Sequence, residues 1–310
     1  NKNKTSFRTN VFLSRDYPQE FRSESNGKIY AVDDTTPTSS DTFSSAILEK
    51  TGGGFSFSRP LNGGDPFKVA KWKVLTGMNF KKVRMIDSSG NRKPYGDITP
   101  TTANIDEIIC IGYTPSDGTC PEENTLVSFV VNTSRNNLNN PVNPTAGDKF
   151  TLGSEQFMPL GEHSPTFNRL SASYAFFIPT RLINLTKECK SSDSSNSDCP
   201  QAIGFQFKGG TVFGELPPYE AFCMGGTSSV RGWSSCELAV SKTFVEGTAE
   251  YRFPVWRMIS GAFFADAGSD LGSQDDVPGK PGKLLKKSGS GFSIGGGIGV
   301  KTPIGPLRLD

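Results

Sequence analysis

Apolar and polar residues alternate with a period of two along most of the chain, and no segment of useful length carries helical periodicity. Residues 6–15 set Phe7, Thr9, Val11 and Leu13 against Arg8, Asn10 and Ser14. The same alternation recurs in a run ending at Phe55 and Phe57, where Ser56 and Ser58 interleave, and from Trp72 to Phe80 against Lys73, Gly77 and Asn79. It continues through 125–132, 148–156, 169–178, 202–213, 245–253, 259–267 and 290–302, with a stub at Leu307. The pattern predicts an all-β protein of about eleven strands.

Strands of about nine to eleven residues, apolar on one face and polar or glycine on the other, suit two architectures. In a soluble sandwich the apolar faces meet inside. In a transmembrane antiparallel barrel they meet lipid, and the polar faces line a wet lumen. The connections favour the barrel. Those at 16–45, 85–124, 214–237 and 268–288 are long, whereas those at 61–70, 254–258 and 303–306 are short, the habit of outer-membrane barrels. The stretch 179–201 departs from this by being long on the short side. Trp72, Tyr174, Phe176, Phe177 and Trp256, near strand ends, suit aromatic girdles at the membrane interfaces.

Composition narrows the function classes. Lys+Arg number 33 and Asp+Glu 31, a balance that excludes the basic excess expected of a nucleic-acid binder. A single histidine, His163 in a polar loop, leaves little for a histidine-based triad or metal centre, so no enzyme activity, catalytic residue, metal or cofactor is expected. The glycines between 289 and 299 never satisfy a dinucleotide fingerprint; on an alternating strand, Gly295, Gly297 and Gly299 face the lumen while Phe292, Ile294, Ile298 and Val300 face lipid. Six cysteines fall into close pairs, Cys110 with Cys120, Cys189 with Cys199, and Cys223 with Cys236. Their spacings are too wide for common zinc motifs, so three local disulfides are the economical reading, with free thiols the alternative. Disulfides imply a compartment outside the cytosol. The basic cluster Lys280, Lys283, Lys286 and Lys287 suits either anionic headgroups or a solvated loop.

One segment carries a resemblance. Residues 218–233, with Gly225, Gly226, Val230, Arg231, Gly232 and Trp233, resemble the Gly-Gly…Val-Arg-Gly-aromatic loop of the bacterial barrel-assembly superfamily. That superfamily includes the BamA-type insertases, the two-partner-secretion transporters and the chloroplast protein-import channel. Residues 248–254 look like the glutamate-containing strand that follows that loop, 263–268 like the next strand's Phe-x-Asp-x-Gly, and 302–310 like the late Pro-x-Gly-Pro turn. The likeness is best to the cyanobacterial and plastid branch, through 216–222 and 288–292.

The resemblance implies a sixteen-strand barrel whose loop between the eleventh and twelfth strands folds into the lumen. On that count residues 6–15 fall at the fifth strand and Asp310 in the fifteenth, so 1–310 is expected to be an incomplete barrel domain, without four opening strands, the closing strand and the preceding periplasmic modules. It implies assembly and insertion of β-barrel proteins into the outer membrane, with a polypeptide-translocating channel as the alternative and a small-solute porin behind both. The partners implied are nascent barrel polypeptides, outer-membrane lipid and lipopolysaccharide, and accessory assembly subunits. The location implied is the cell outer membrane, with the chloroplast outer envelope as runner-up.

The loop chemistry can be read from the residues themselves. Glycines 225, 226 and 232 allow a tight tip, and Arg231 offers a planar fork of five donors that matches a carboxylate. Glu250 shares a strand face with Thr248 and Arg252, opposite the lipid-suited Ala249, Tyr251 and Phe253. Asp266 shares a face with Phe264, and lipid exposure of that carboxylate would be costly. Arg231 is therefore expected to meet Glu250 and Asp266 inside.

Overall fold

The computed structural model describes residues 5–16, 20, 24–25, 28–29, 47–61, 72–86, 121, 123–161, 163–190, 199–256, 258–278, 280–302 and 305–310. Its main element is a single antiparallel sheet of eleven strands. In chain order these are β1 (Ser6–Asp16), β2 (Ile47–Pro60), β3 (Trp72–Ile86), β4 (Glu123–Asn136), β5 (Gly147–Met158) and β6 (Phe167–Pro179). They continue as β7 (Ala202–Gly214), β8 (Thr243–Trp256), β9 (Ile259–Ser269), β10 (Ser290–Thr302) and β11 (Gly305–Leu309). Every strand pairs with its neighbours in sequence, so spatial order equals chain order, and β1 and β11 are the two edges. Each of the eleven segments read from the alternation is a strand here.

The period of two sorts the side chains onto two unlike faces. Outward, Phe7, Val11, Phe292 and Ile294 are 60%, 90%, 75% and 78% exposed, an apolar surface that no second layer of the described residues covers. Such a band needs cover, and in a transmembrane barrel that cover is lipid. Inward, the register places Asn79 opposite Ser128, Lys81 opposite Leu126, and Glu155 opposite Arg169. On β10, the partners of Phe264 and Asp266 are Gly295 and Ser293, which puts the glycines of that strand on the inner face as the alternation requires.

Phe177 differs from its expected place in the lipid girdle. It is one residue out of step with the outward Tyr174 and Phe176, pairs with Gly204, and lies beneath the Arg252 guanidinium at 5.0 Å. The absence of a Cβ at Gly204 makes room for the ring, since a Cβ there would sit 2.8 Å from Phe177 Cδ1.

The apolar core lies within the curve of the sheet. Leu48, Val83, Leu126, Phe157, Phe167 and Val212 point inward near one end of the strands and pack against Leu216, Tyr219, Phe222 and Val240 from the β7–β8 connection. That connection is thus part of the folding core. Its limbs zip as a short hairpin, Phe222–Met224 against Ala239–Ser241. Met224, Val230, Leu238 and Ala239 form a second cluster, with Trp233 packed on it.

Candidate functional site

The β7–β8 connection carries Arg231 from the strand ends down to the middle of the inner face. The turn depends on glycine: Gly225, Gly226 and Gly232 have φ of 113°, 93° and 87°, a region closed to most side chains. The tip is tied by Gly226 N–H to the Trp233 carbonyl at 2.8 Å and by Gly225 N–H to Ser229 Oγ at 3.0 Å. Val230 is fully buried over Gly268, and the Trp233 ring lies over Gly291, where a Cβ would come within 3.0 Å of it.

Arg231 then meets two acidic strands. Its Nε donates to Asp266 Oδ2 at 2.7 Å and its Nη2 to Asp266 Oδ1 at 2.9 Å, a two-pronged pair, while its backbone N–H reaches Oδ2 at 3.2 Å. Nη1 donates to Glu250 Oε2 at 2.8 Å and to Asp310 Oδ2 at 3.3 Å. The guanidinium carbon lies 3.5 Å from the centre of the Phe264 ring. Asp266 and Arg231 are buried, at 2% and 8% exposure. Removing one partner of a pair this enclosed costs about 3–5 kcal/mol, because it leaves the other charge unpaired.

The network extends beyond the three residues that the alternation and the loop point to. Arg308 forks onto Glu250, Nη1 to Oε1 at 2.8 Å and Nη2 to Oε2 at 2.7 Å, and also bonds Asp310. Arg252 Nε stands 3.1 Å from Glu250 Oε1. Three guanidinium groups thus share three carboxylates. Arg308 and Asp310 alternate with the exposed Leu307 and Leu309, a signal present in the sequence but short enough to miss.

Cys223 and Cys236 are joined, their Cα atoms 4.5 Å apart, and close the upper part of the excursion. Cys189 and Cys199 are joined in the β6–β7 connection at the other end of the strands, Cα atoms 5.0 Å apart. The pair Cys110 and Cys120 lies outside the described residues. Of the basic cluster, Lys287 turns inward and donates to the Cys236 carbonyl at 2.6 Å, so it does not face a membrane surface.

A family model described as the Omp85 superfamily domain matches residues 1–310. The chain belongs to the Omp85 superfamily. It is 33% identical over 185 residues to Protein TOC75-4, chloroplastic, of Arabidopsis thaliana, across 60% of this chain and 43% of that one. Outer envelope protein 39, chloroplastic, of the same plant is 27% identical over 265 residues, across 85% of this chain and 61% of its own. Outer envelope protein 80, chloroplastic, also from Arabidopsis thaliana, is 42% identical over 111 residues, 36% of this chain and 15% of that protein. Among solved structures, BamA from Haemophilus ducreyi lacking POTRA domains 1–3 superposes with a TM-score of 0.55 at 14% identity, over 86% of this chain and 52% of that one. That last likeness is one of fold. The chain spans less than two thirds of the length of each of these relatives.

Membership and fold together place this Omp85 barrel in an outer membrane, with the exposed apolar face against lipid. The plastid relatives agree with the plastid side of the likeness read from the sequence. Within the barrel, the enclosed charges are matched guanidinium to carboxylate, an arrangement suited to holding a loop.

Proposed function

We propose that this chain is the membrane part of a factor that assembles β-barrel proteins and inserts them into the outer membrane, without covalent chemistry and without a cofactor or metal. The observation that carries the reading is the inward loop fixed by Arg231 on Asp266 and Glu250. A plain solute pore has no need of an enclosed arginine matched to acidic residues on two neighbouring strands. In this reading the clients are nascent barrel polypeptides, received by backbone pairing at a strand edge, since an edge offers a row of unpaired N–H and C=O groups. Outer-membrane lipid, lipopolysaccharide where the membrane contains it, and accessory assembly subunits are the further partners.

A second reading, a polypeptide-translocating channel, draws support from the similarity to TOC75-4, which extends over 60% of this chain. Depletion of the full-length protein separates the two. The insertion reading expects every newly made outer-membrane barrel to fail to become heat-modifiable. Loss confined to exported soluble polypeptides, with barrels assembling at the normal rate, would replace it with the channel reading.

A further inference from the structure

The loop has a second attachment. Its first limb, ahead of the Arg231 tip, carries Glu220, which is 7% exposed. Both of its carboxylate oxygens are taken, Oε1 by Lys81 Nζ of β3 and Oε2 by Arg169 Nη1 of β6 at 3.3 Å. The Arg169 guanidinium also stands 4.5 Å over the Phe222 ring, two residues further along the limb. On the other side, Tyr219, 4% exposed, donates its hydroxyl to Asn124 Oδ1 of β4 at 3.1 Å. Asn124 is itself fully buried and donates to the His163 carbonyl at 3.0 Å, which fixes its orientation.

The two attachments have opposite polarity and engage different parts of the sheet. At position 220 the loop offers a carboxylate to two cations, Lys81 of β3 and Arg169 of β6. At position 231 it offers a guanidinium to three carboxylates, Glu250 of β8, Asp266 of β9 and Asp310 just past β11. Neither side chain fits the other's socket. Breaking the Arg231 contacts leaves the first limb held by Glu220, by Tyr219 and by the apolar contacts of Leu216 and Phe222. Breaking the Glu220 contacts leaves the tip held by the fork on Asp266.

We propose that Glu220 is a second positioning residue of this loop, independent of Arg231, that the loop is a cross-tie between two halves of the inner face, and that the lumen opens widely only when both attachments are released together. This holds whether the client is inserted or translocated, because it concerns the loop and the wall.

The test is ion conductance of the full-length protein in planar lipid bilayers, with potassium chloride as the probe and heat-modifiability as the check on folding. The variants are Glu220→Gln, Arg231→Lys, which keeps the charge and loses the fork, and the two combined. Each single change is expected to raise mean conductance by less than about twofold and the pair by about tenfold, a departure from additivity that follows if opening needs both ties released together. Should the double variant fail the folding check, Lys81→Met with Arg231→Lys takes its place with the same expectation. Arg231→Lys alone opening the pore as far as the pair would overturn the proposal, because one lock would then suffice. A double variant that conducts like the unmodified protein would also overturn it, because Glu220 would then hold nothing.

Discussion

The ring of Phe264 fills the space that a side chain at Gly295 would take. A Cβ at 295 would meet the Phe264 Cζ atom and lie 3.0 Å from Cε1 and Cε2. The same ring supports the Arg231 guanidinium on its other side, so a glycine on β10 sets the height of the arginine above the wall.

Gly295→Ala should therefore push the ring toward Arg231 and cost about 1–3 kcal/mol by overpacking. Gly296→Ala, on the outward face of the same strand with its nearest neighbour at 3.5 Å, should change little. The temperature at which the folded band is lost on an unheated gel reads the difference. Equal shifts for the two variants would mean that the Phe264 contact is unimportant.

Arg231→Ala leaves Asp266, 2% exposed, without its fork, while Arg308 still holds Glu250. The expected loss is about 3–5 kcal/mol at the loop, with the strand ladders intact. Arg231→Glu should be worse, since a fourth carboxylate would face Glu250, Asp266 and Asp310. Proteolysis of the native barrel should then cut between 226 and 235, in Arg231→Glu faster than in Arg231→Ala. Resistance equal to that of the unmodified protein would show that the fork does not restrain the tip.

Tyr251 lies on the lipid side of β8, yet its hydroxyl is not left to lipid. It accepts the N–H groups of Leu182 and Ile183 at 3.2 and 3.0 Å and donates to Gln201, so the β6–β7 connection is tied to the outer wall. In Tyr251→Phe, Gln201 Oε1 still reaches the same two N–H groups at 3.2 and 3.4 Å. The cost should stay near about 1 kcal/mol, the net worth of a typical hydrogen bond. Amide exchange at 182 and 183 should quicken by about fivefold, the factor for that energy, with strand amides unchanged.

Two groups beside the loop, the half-buried Glu20 and the buried Lys287, make stability depend on pH. Burial pushes the Glu20 carboxyl up to about 7 from an ordinary 4.5, and burial pushes the Lys287 ammonium down to about 8 from 10.5. Between pH 4.5 and 7 the folded chain holds the extra proton on Glu20, so stability falls as pH rises. Between pH 8 and 10.5 the unfolded chain holds the extra proton on Lys287, so stability rises with pH. A shallow minimum near pH 7–8 is expected in thermal unfolding. Glu20→Gln should flatten its acid arm and Lys287→Gln its alkaline arm; unchanged arms in these variants would assign the dependence to other groups.

Alternation was enough to locate all eleven strands, because away from the apolar core at one end each sets an apolar outer face against polar groups or glycine within, and the period of two is strongest under that contrast. The Arg231, Glu250 and Asp266 cluster was legible for the same reason: strand faces sort the carboxylates, and the glycines mark the turn. What could not be read was pairing across distance. Lys81 and Glu220 are 139 residues apart, and Tyr251 and Leu182 are 69 apart, with no local pattern to join them. Phe177 suits a girdle by its place near a strand end, but the alternation that sets Leu170, Ala172, Tyr174 and Phe176 outward already turns it to the other face.

The two joined cysteine pairs sit at opposite ends of the strands, Cys223–Cys236 beside the end of β7 and Cys189–Cys199 beside its start. A bilayer crossed by those strands separates the pairs, so each equilibrates with a different aqueous compartment. In a membrane bounded by oxidising space on both sides, both bonds persist. In a membrane with a reducing face, only one does, and the surviving bond marks the face that is oxidising. The redox state of each pair, measured separately on protein from its own membrane, is thus a built-in record of which way the barrel was inserted.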